Sequence, residues 1–387
     1  MGWPVVKIAE LCEVLDNKRK PITKKNRIEG PYPYYGATGV LDYVEGYLFD
    51  EDLVLIGEDG AKWGAGDNSA FSITGKTWVN NHAHVVKPHR DIILDQWLIY
   101  YLNGEDLSDF ITGMTVPKLN QGKLKEISLP VPPIPEQKRI VALLDTVFAD
   151  LEQTRAKTEQ NLKNARELFD SYLQQVFSSK GDGWEEKKWG DMCKFIRGPF
   201  GGSLKKSMFK SEGYAVYEQK HAIHDHIEQL RYYVDEEKFE EMKRFELKPG
   251  ELIMSCSGVT LGRASVIPEG APKGIINQAL LKLTANDDFD IHFLKYWIRS
   301  KIFQDIIFEH AGGAAIPNVP AAKILKEIKL QIPTLEKQKI IVSEIDSMVS
   351  KRDSLLRIYT EKLAALDELK KSILQKAFSG KLTTTAK

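Results

Sequence analysis

The chain is 387 residues long, enough for two domains with extended elements between them. Its apolar share of 42% suits buried cores in water, and no apolar run nears the roughly 18 residues that cross a bilayer. With 54 basic and 54 acidic residues the formal charge is zero, so a nucleic-acid partner would have to be met by local patches.

Met1 to Glu10 lacks the continuous apolar core of a secretory signal. Cys12, Cys193 and Cys256 stand far apart with no Cys-x-x-Cys, which predicts a reducing, cytoplasmic setting and argues against structural zinc. "YLFDEDLVLIGEDG", from Tyr47, reads as a β-rich run closing on a glycine turn. "VNNHAHV", Val79 to Val85, reads as a further strand, and "ILDQWLIYYLNGEDLSDFI", from Ile93, as a helical hairpin. A long helix then starts at Pro135 and Glu136: proline lacks the N–H that would be orphaned there, and the carboxylate suits the positive helix end. Its apolar residues step by three and four through Ile140, Leu144, Val147, Leu151, Ala165, Leu168 and Tyr172. Thr154, Thr158 and Asn161 interrupt this seam.

"SYLQQVFSSK", Ser171 to Lys180, returns as "SILQKAFSGK", Ser372 to Lys381, at an offset of 372 − 171 = 201. "LKEISLPVPPIPEQKRIV", from Leu124, returns as "LKEIKLQIPTLEKQKIIV", from Leu325, at the same offset, 325 − 124 = 201. Upstream the offset drifts. Trp3 and Cys12 match Trp184 and Cys193 (184 − 3 = 181), Val79–Val85 matches Ile275–Leu281 (275 − 79 = 196), and Val116–Leu119 matches Ile316–Val319 (316 − 116 = 200). A domain of variable length thus precedes a helix of fixed length, twice. The second copy brings its own β-rich run, "FELKPGELIMSCSG", and helical hairpin, "DIHFLKYWIRSKIFQDII". Its seam runs Ile341, Ile345, Met348, Leu355, Tyr359, Leu366, Leu369 and Ile373, interrupted by Arg352 and Lys362, and Gly181 and Gly380 follow the two helices as candidate caps.

The expected fold is α+β. Two mixed α/β domains, 1–133 and 181–333, each precede a spacer helix, 134–180 and 334–387, and the helices form an antiparallel coiled coil with an internal pseudo-twofold repeat. Each helix would be a rod of about 65 Å with one apolar stripe to cover.

Order, spacing and duplication together resemble the specificity subunit of type I restriction–modification systems. The residues that carry the resemblance are "PPIPEQKRIVALLD" with "QQVFSS", "IPTLEKQKIIVSEID" with "LQKAFSGKL", and "LVLIGEDGAKWGAGDNSAF" with "WVNNHAHVVKP". The resemblance spans the whole chain. It implies a noncatalytic subunit that reads a split target on double-stranded DNA, one part per recognition domain, across a nonspecific gap spanned by the helices. It also implies two methyltransferase subunits that carry S-adenosylmethionine and modify adenines, and endonuclease subunits that translocate with ATP and Mg²⁺. None of these cofactors would sit on this chain, and no membrane is involved. B-DNA repeats about every 34 Å, so domains held a set span apart would meet successive grooves. A coiled-coil scaffold joining protein partners without DNA is the alternative.

Catalysis on the chain itself finds little support. "AFSITGKT", Ala70 to Thr77, fits a permissive phosphate-loop pattern, yet strand rather than helix follows it. Val131-Pro132-Pro133-Ile134 lacks the polar and aromatic flanks of an adenine-methyltransferase loop, and Glu136-Gln137-Lys138 repeats as Lys337-Gln338-Lys339, losing the carboxylate. His221, His224, Asp225 and His226 look like metal ligands without a distant second pair.

Candidate DNA contacts begin with two acid-free basic stretches. The first, Lys18 to Arg27, holds six basic residues in ten: Lys18, Arg19, Lys20, Lys24, Lys25 and Arg27. The second, Arg197 to Lys210, carries Arg197, Lys205, Lys206 and Lys210 with Ser203 among its glycines. Asn81, His82 and His84, with Asn277 and Gln278, offer base-edge hydrogen bonds; alternatively Asn81 and Asn277 bond a turn. Lys62, Trp63, Ser257 and Arg263 lie in glycine-flanked loops, and Lys118, Asn120 and Asn318 in the loop entering each spacer, where either DNA or the methyltransferase is the expected contact. Gln137, Gln338, Gln174, Phe177, Gln375 and Phe378 are the candidate partner interface, with Phe177 and Phe378 better read as helix packing.

Overall fold

Two sheets of four strands form in each copy, and their register shows how closely the copies correspond. The computed structural model describes residues 2–382 apart from 180, 182, 228 and 311–316. Lys180, Ile316 and the tail 383–387 therefore lie outside the described residues, and the expectations that touch them stop there. The chain divides into two compact units, Met1–Asn161 with Ile358–Lys387, and Leu162–Arg357.

In the first unit the central sheet runs Cys12–Val14, Ala83–Pro88, Leu53–Gly57, Ala70–Ile73. Leu53–Gly57 is a continuous apolar run because it is buried on both faces. A second sheet runs Gly39–Val44, Glu29–Gly36, Lys76–Val79, Phe49–Asp50. In the second unit the corresponding sheets run Cys193–Arg197, Leu280–Ala285, Leu252–Ser255, Ala264–Val266, and Tyr233–Val234, Tyr214–Tyr217, Gly274–Ile276, Glu246–Leu247. A two-strand clasp ties the start of each copy to the approach of its long helix: Val6 faces Leu129 in one, and Lys187 faces Leu330 in the other.

Strand pairing corrects one register. Val14 pairs with Val86, and Phe195 with Leu283, so the turn and strand after Val79 correspond at 283 − 86 = 197, one residue more than the sequence comparison suggests. Asn80, not Asn81, therefore matches Asn277. Each uses its side-chain oxygen to accept the amide two residues on, His82 at 2.8 Å and Ala279 at 3.0 Å, which makes these segments Asx turns before the strands.

The helical hairpin appears only in the second unit, as Ile291–Arg299 and Lys301–His310. In the first, one helix, Asp95–Gly104, is followed by a 3₁₀ turn and a two-residue strand. There the Leu107 amide is captured by the Trp63 carbonyl at 2.9 Å, which ends helical hydrogen bonding. Ala70–Ile73 and Lys76–Val79 are strands of different sheets joined at Gly75, so no helix follows the phosphate-loop pattern.

The long helices are Ile134–Ser178 and Leu335–Phe378, and each contributes to both units. Within the first unit they run antiparallel: Ile140, Leu144 and Phe148 share a core with Leu374, Ala377 and Phe378, and Arg155 pairs with Asp367. Within the second, Phe169 and Leu173 pack with Ile345, and the Arg352 guanidinium lies 4.3 Å from the Phe169 ring centre. The seam there is shifted by one from expectation: Phe169 and Leu173 are buried, whereas Leu168 and, in the first unit, Leu369 face solvent. A 3.6-residue turn drifts against a heptad, and these helices also cover globular domains, so the buried stripe widens and rotates. Gly380 takes the left-handed conformation (φ +75°) expected of a cap. Among the described residues no helix is long and apolar enough to cross a membrane.

Candidate nucleic-acid interface

At one end of each central sheet the same four backbone segments converge. In the first unit the turn at Asn80–His82 meets the loop after Gly57 through the Glu58 amide on the His82 carbonyl, 2.9 Å. The loop entering the spacer joins through the Leu119 amide on the Glu58 carbonyl, 2.8 Å. In the second unit the Cys256 amide reaches the Ala279 carbonyl and the Val319 amide the Cys256 carbonyl, each at 2.9 Å. The residue after Leu15 and the loop at Gly198 complete the two clusters. Of the residues proposed from the sequence, Asn81, His82, His84, Lys118, Asn277, Gln278, Ser257 and Asn318 lie in these segments.

The side chains differ sharply. In the first unit His84 is 0% exposed: Nδ1 lies 2.6 Å from Asp16 and Nε2 2.6 Å from the Leu119 carbonyl. Arg19 turns inward to Glu58, with its guanidinium also 3.4 Å from Asp16 and donating to the Ala83 carbonyl at 2.7 Å. Lys118 pairs with Glu58 at 2.8 Å. Burial opposes ionisation of Asp16, yet the hydrogen bonds from His84, Gln121 and the Val85 amide outweigh it and hold the carboxyl below its ordinary value. Burial likewise works against Glu58, and Lys118 and Arg19 overcome it. Asp16, Glu58 and His84 could in principle hold a metal ion, but Arg19 and Lys118 already counter both carboxylates and both imidazole nitrogens are engaged.

Arg19 and His84 are therefore spent inside the protein in this conformation, as is Trp63, which is buried and donates to the Gly57 carbonyl at 3.0 Å. Arg27 is held by Asp42 at 3.1 Å and stacks over Tyr34. His82 is exposed but paired with Asp59. Lys18, Lys20, Lys24, Lys25 and Lys62 are exposed, with no acid within 4 Å among the described residues; Asn81 and Asn120 are exposed too.

In the second unit Glu58 is replaced by Cys256 and His84 by Leu281, so the network has no counterpart. Burial pushes the Cys256 thiol up to about 12, and Cys12 and Cys193 likewise. Arg197, Lys205, Lys206 and Arg263 have no acidic partner among the described residues; Lys210 pairs with Asp235 at 3.4 Å. Ser203 caps its own turn by donating to the Phe200 carbonyl at 2.8 Å. Gln278 and Asn318 are exposed, and the Ser257 carbonyl accepts from Gln219 at 2.5 Å. Gln219, Phe200 and Val259, which the sequence reading did not single out, lie in or beside this cluster, the last two as large exposed apolar residues in glycine-flanked loops.

The candidate partner residues fall into two groups. Gln137 and Gln338 are 0% and 2% exposed. Gln137 accepts the Leu94 amide (2.9 Å) and donates to Pro132 (2.8 Å), and Gln338 accepts the Asp290 amide (2.9 Å) and donates to Pro333 (3.0 Å). These amides fasten each long helix to its own domain and leave no surface for a partner. Phe378 packs edge-on against Trp97 at 4.8 Å, and Phe177 against Phe293 at 5.3 Å. Each helix end thus plugs the domain of the opposite copy. Gln174 and Gln375 remain exposed.

The family described as the type I restriction modification DNA specificity domain matches residues 1–162 and again 181–361. The chain belongs to this family. A type I restriction enzyme specificity subunit assigned in Haemophilus influenzae is 28% identical over 356 residues, covering 89% of this chain and 87% of that protein. The EcoDI specificity subunit of Escherichia coli is 23% identical over 423 residues, covering 99% and 89%. A chain from a structure of type I restriction–modification complex assembly superposes with a TM-score of 0.76 at 20% identity, covering 98% of each. That fold likeness places this specificity subunit's paired four-stranded sheets and long helices in a known architecture. The HAIHDH stretch has no part in the clusters: Gln219–His224 is a helix, and His221 is buried with Nδ1 accepting the Glu218 amide at 2.9 Å.

Proposed function

We propose that this chain is the noncatalytic DNA-recognition subunit of a cytoplasmic type I restriction–modification complex. Each globular domain reads one part of a split target on double-stranded DNA through its loop cluster. The observation that carries this is the pairing of one backbone with two chemistries: Glu58, Asp59 and Lys118 stand where the second copy has Cys256, Ser257 and Asn318. Equivalent loops carrying unlike side chains are what reading two different half-targets requires.

The acid-free lysines supply phosphate contacts, and Gln278, Asn318 and Asn81 the base-edge hydrogen bonds. Two methyltransferase subunits bind this chain and carry S-adenosylmethionine; endonuclease subunits that use ATP and Mg²⁺ join them. Exposed Gln174 and Gln375 belong to the methyltransferase contact. Selecting bound duplexes from a random library with the chain assembled on its methyltransferase subunits tests this. Enrichment of two short motifs at a fixed gap is expected, and no enrichment would refute it.

A further inference from the structure

Phe200 is 80% exposed, yet its loop is firmly held. The Gly198 amide donates to the Leu280 carbonyl at 2.9 Å. A Cβ on Gly198 would sit 1.9 Å from the Asn277 carbonyl oxygen, so only glycine lets the loop press this closely on the turn. The Ser203 hydroxyl clamps the Phe200 carbonyl from the other side. On the far side of that turn Val259 is 90% exposed, on a loop fixed by the Gly258 amide on the Pro317 carbonyl at 2.9 Å. Exposed Gln278 lies in the turn between them, and Arg197, Lys205 and Lys206, which flank Phe200 in sequence, have no acid within 4 Å among the described residues. In the first unit the matching positions are Arg19, folded inward, and Ala61, so the apolar pair belongs to the second unit alone.

We propose that Phe200 is a wedge that stacks between bases of the half-target read by the second domain, with Val259 against the groove wall beside it. This rests on the DNA-recognition reading. The backbone that carries the ring is already hydrogen-bonded in place, so burying the ring against a base costs the ordering of one side chain and little more. Apolar wedges partly unstack a base step and are repaid by the contacts that the bent duplex permits. The stretch from Arg197 to Lys210 carries four basic residues and no acid, which selects a polyanion as the occupant rather than an apolar protein face.

The test uses the chain assembled with its methyltransferase subunits, as Phe200→Ala, Phe200→Trp and wild type. Target duplexes carry 2-aminopurine at successive positions of the second half-target. Wild type and Phe200→Trp are expected to change the fluorescence at one step. Phe200→Ala is expected to abolish that change and to lose roughly 10- to 100-fold in affinity, with its melting temperature and salt dependence unaltered. Equal affinity and an equal fluorescence change for Phe200→Ala, from a wild type that still discriminates its target, would overturn the wedge alone. Loss of target preference in the wild type itself would overturn the recognition reading and the wedge with it.

Discussion

The loop clusters of the two units share their hydrogen-bonded backbone and almost nothing else. In the first, Asp16, Arg19, Glu58, His84 and Lys118 form a closed ionic network at the sheet end. In the second, Cys256 and Leu281 fill the same space, and Arg197, Lys205, Lys206 and Arg263 have no acidic partner among the described residues, while Lys210 pairs with Asp235. A duplicated scaffold can therefore keep its geometry while exchanging ionic for apolar support beneath the reading loops. Equivalent positions need not have like surroundings: Arg19 is a structural cation, whereas the second copy carries exposed Phe200 at the matching position, beside cations with no acidic partner among the described residues.

The comparison can be broken first at Glu58. Glu58→Ala leaves Arg19 and Lys118 without their shared carboxylate and should cost about 2–4 kcal/mol, against about 1 kcal/mol for Cys256→Ala. Urea unfolding monitored unit by unit would show it, and equal costs would dissolve the distinction. Where the units agree, costs should agree. Gln137→Ala and Gln338→Ala each orphan buried groups at the root of a long helix, and each should destabilise its unit by about 1–3 kcal/mol.

Acid should separate the units more gently. Asp16 and Glu58 have folded-state carboxyls held below their ordinary values, so their stabilisation is complete above the unfolded values, near pH 4, and is lost as pH falls through the lower folded ones. The first unit should weaken below about pH 4, and Asp16→Asn with Glu58→Gln should flatten that dependence in a pH series of thermal melts. The smallest effect concerns binding. Lys205→Ala should weaken DNA affinity alike for all sequences and lower the salt slope by about one, while Arg19→Ala should alter stability without changing that slope.

The duplication and the long helices were legible because they are written as repeated residues at constant spacing. The direction of a charged side chain was not. Lys18 and Arg19 are neighbours in one basic run, yet of the two only Arg19 meets acids, Asp16 nearby and Glu58 on a distant strand end. The one-residue slip at Asn80 had the same origin: two adjacent asparagines match equally well in sequence, and only the hydrogen bond to the His82 amide chooses between them. Gln137 and Gln338 looked like surface residues because glutamine usually is one; their burial follows from the proline-rich approach whose carbonyls they satisfy.

The central claim, that one scaffold reads two half-targets through two separate loop clusters, is tested most directly by mapping methylated adenines across a genome. Cells would carry the methyltransferase subunits with either the wild-type chain or Gln278→Ala combined with Arg197→Ala. The account predicts a bipartite motif in the wild type and relaxed sequence preference in one half only in the variant. A continuous motif, or equal relaxation of both halves, would contradict it.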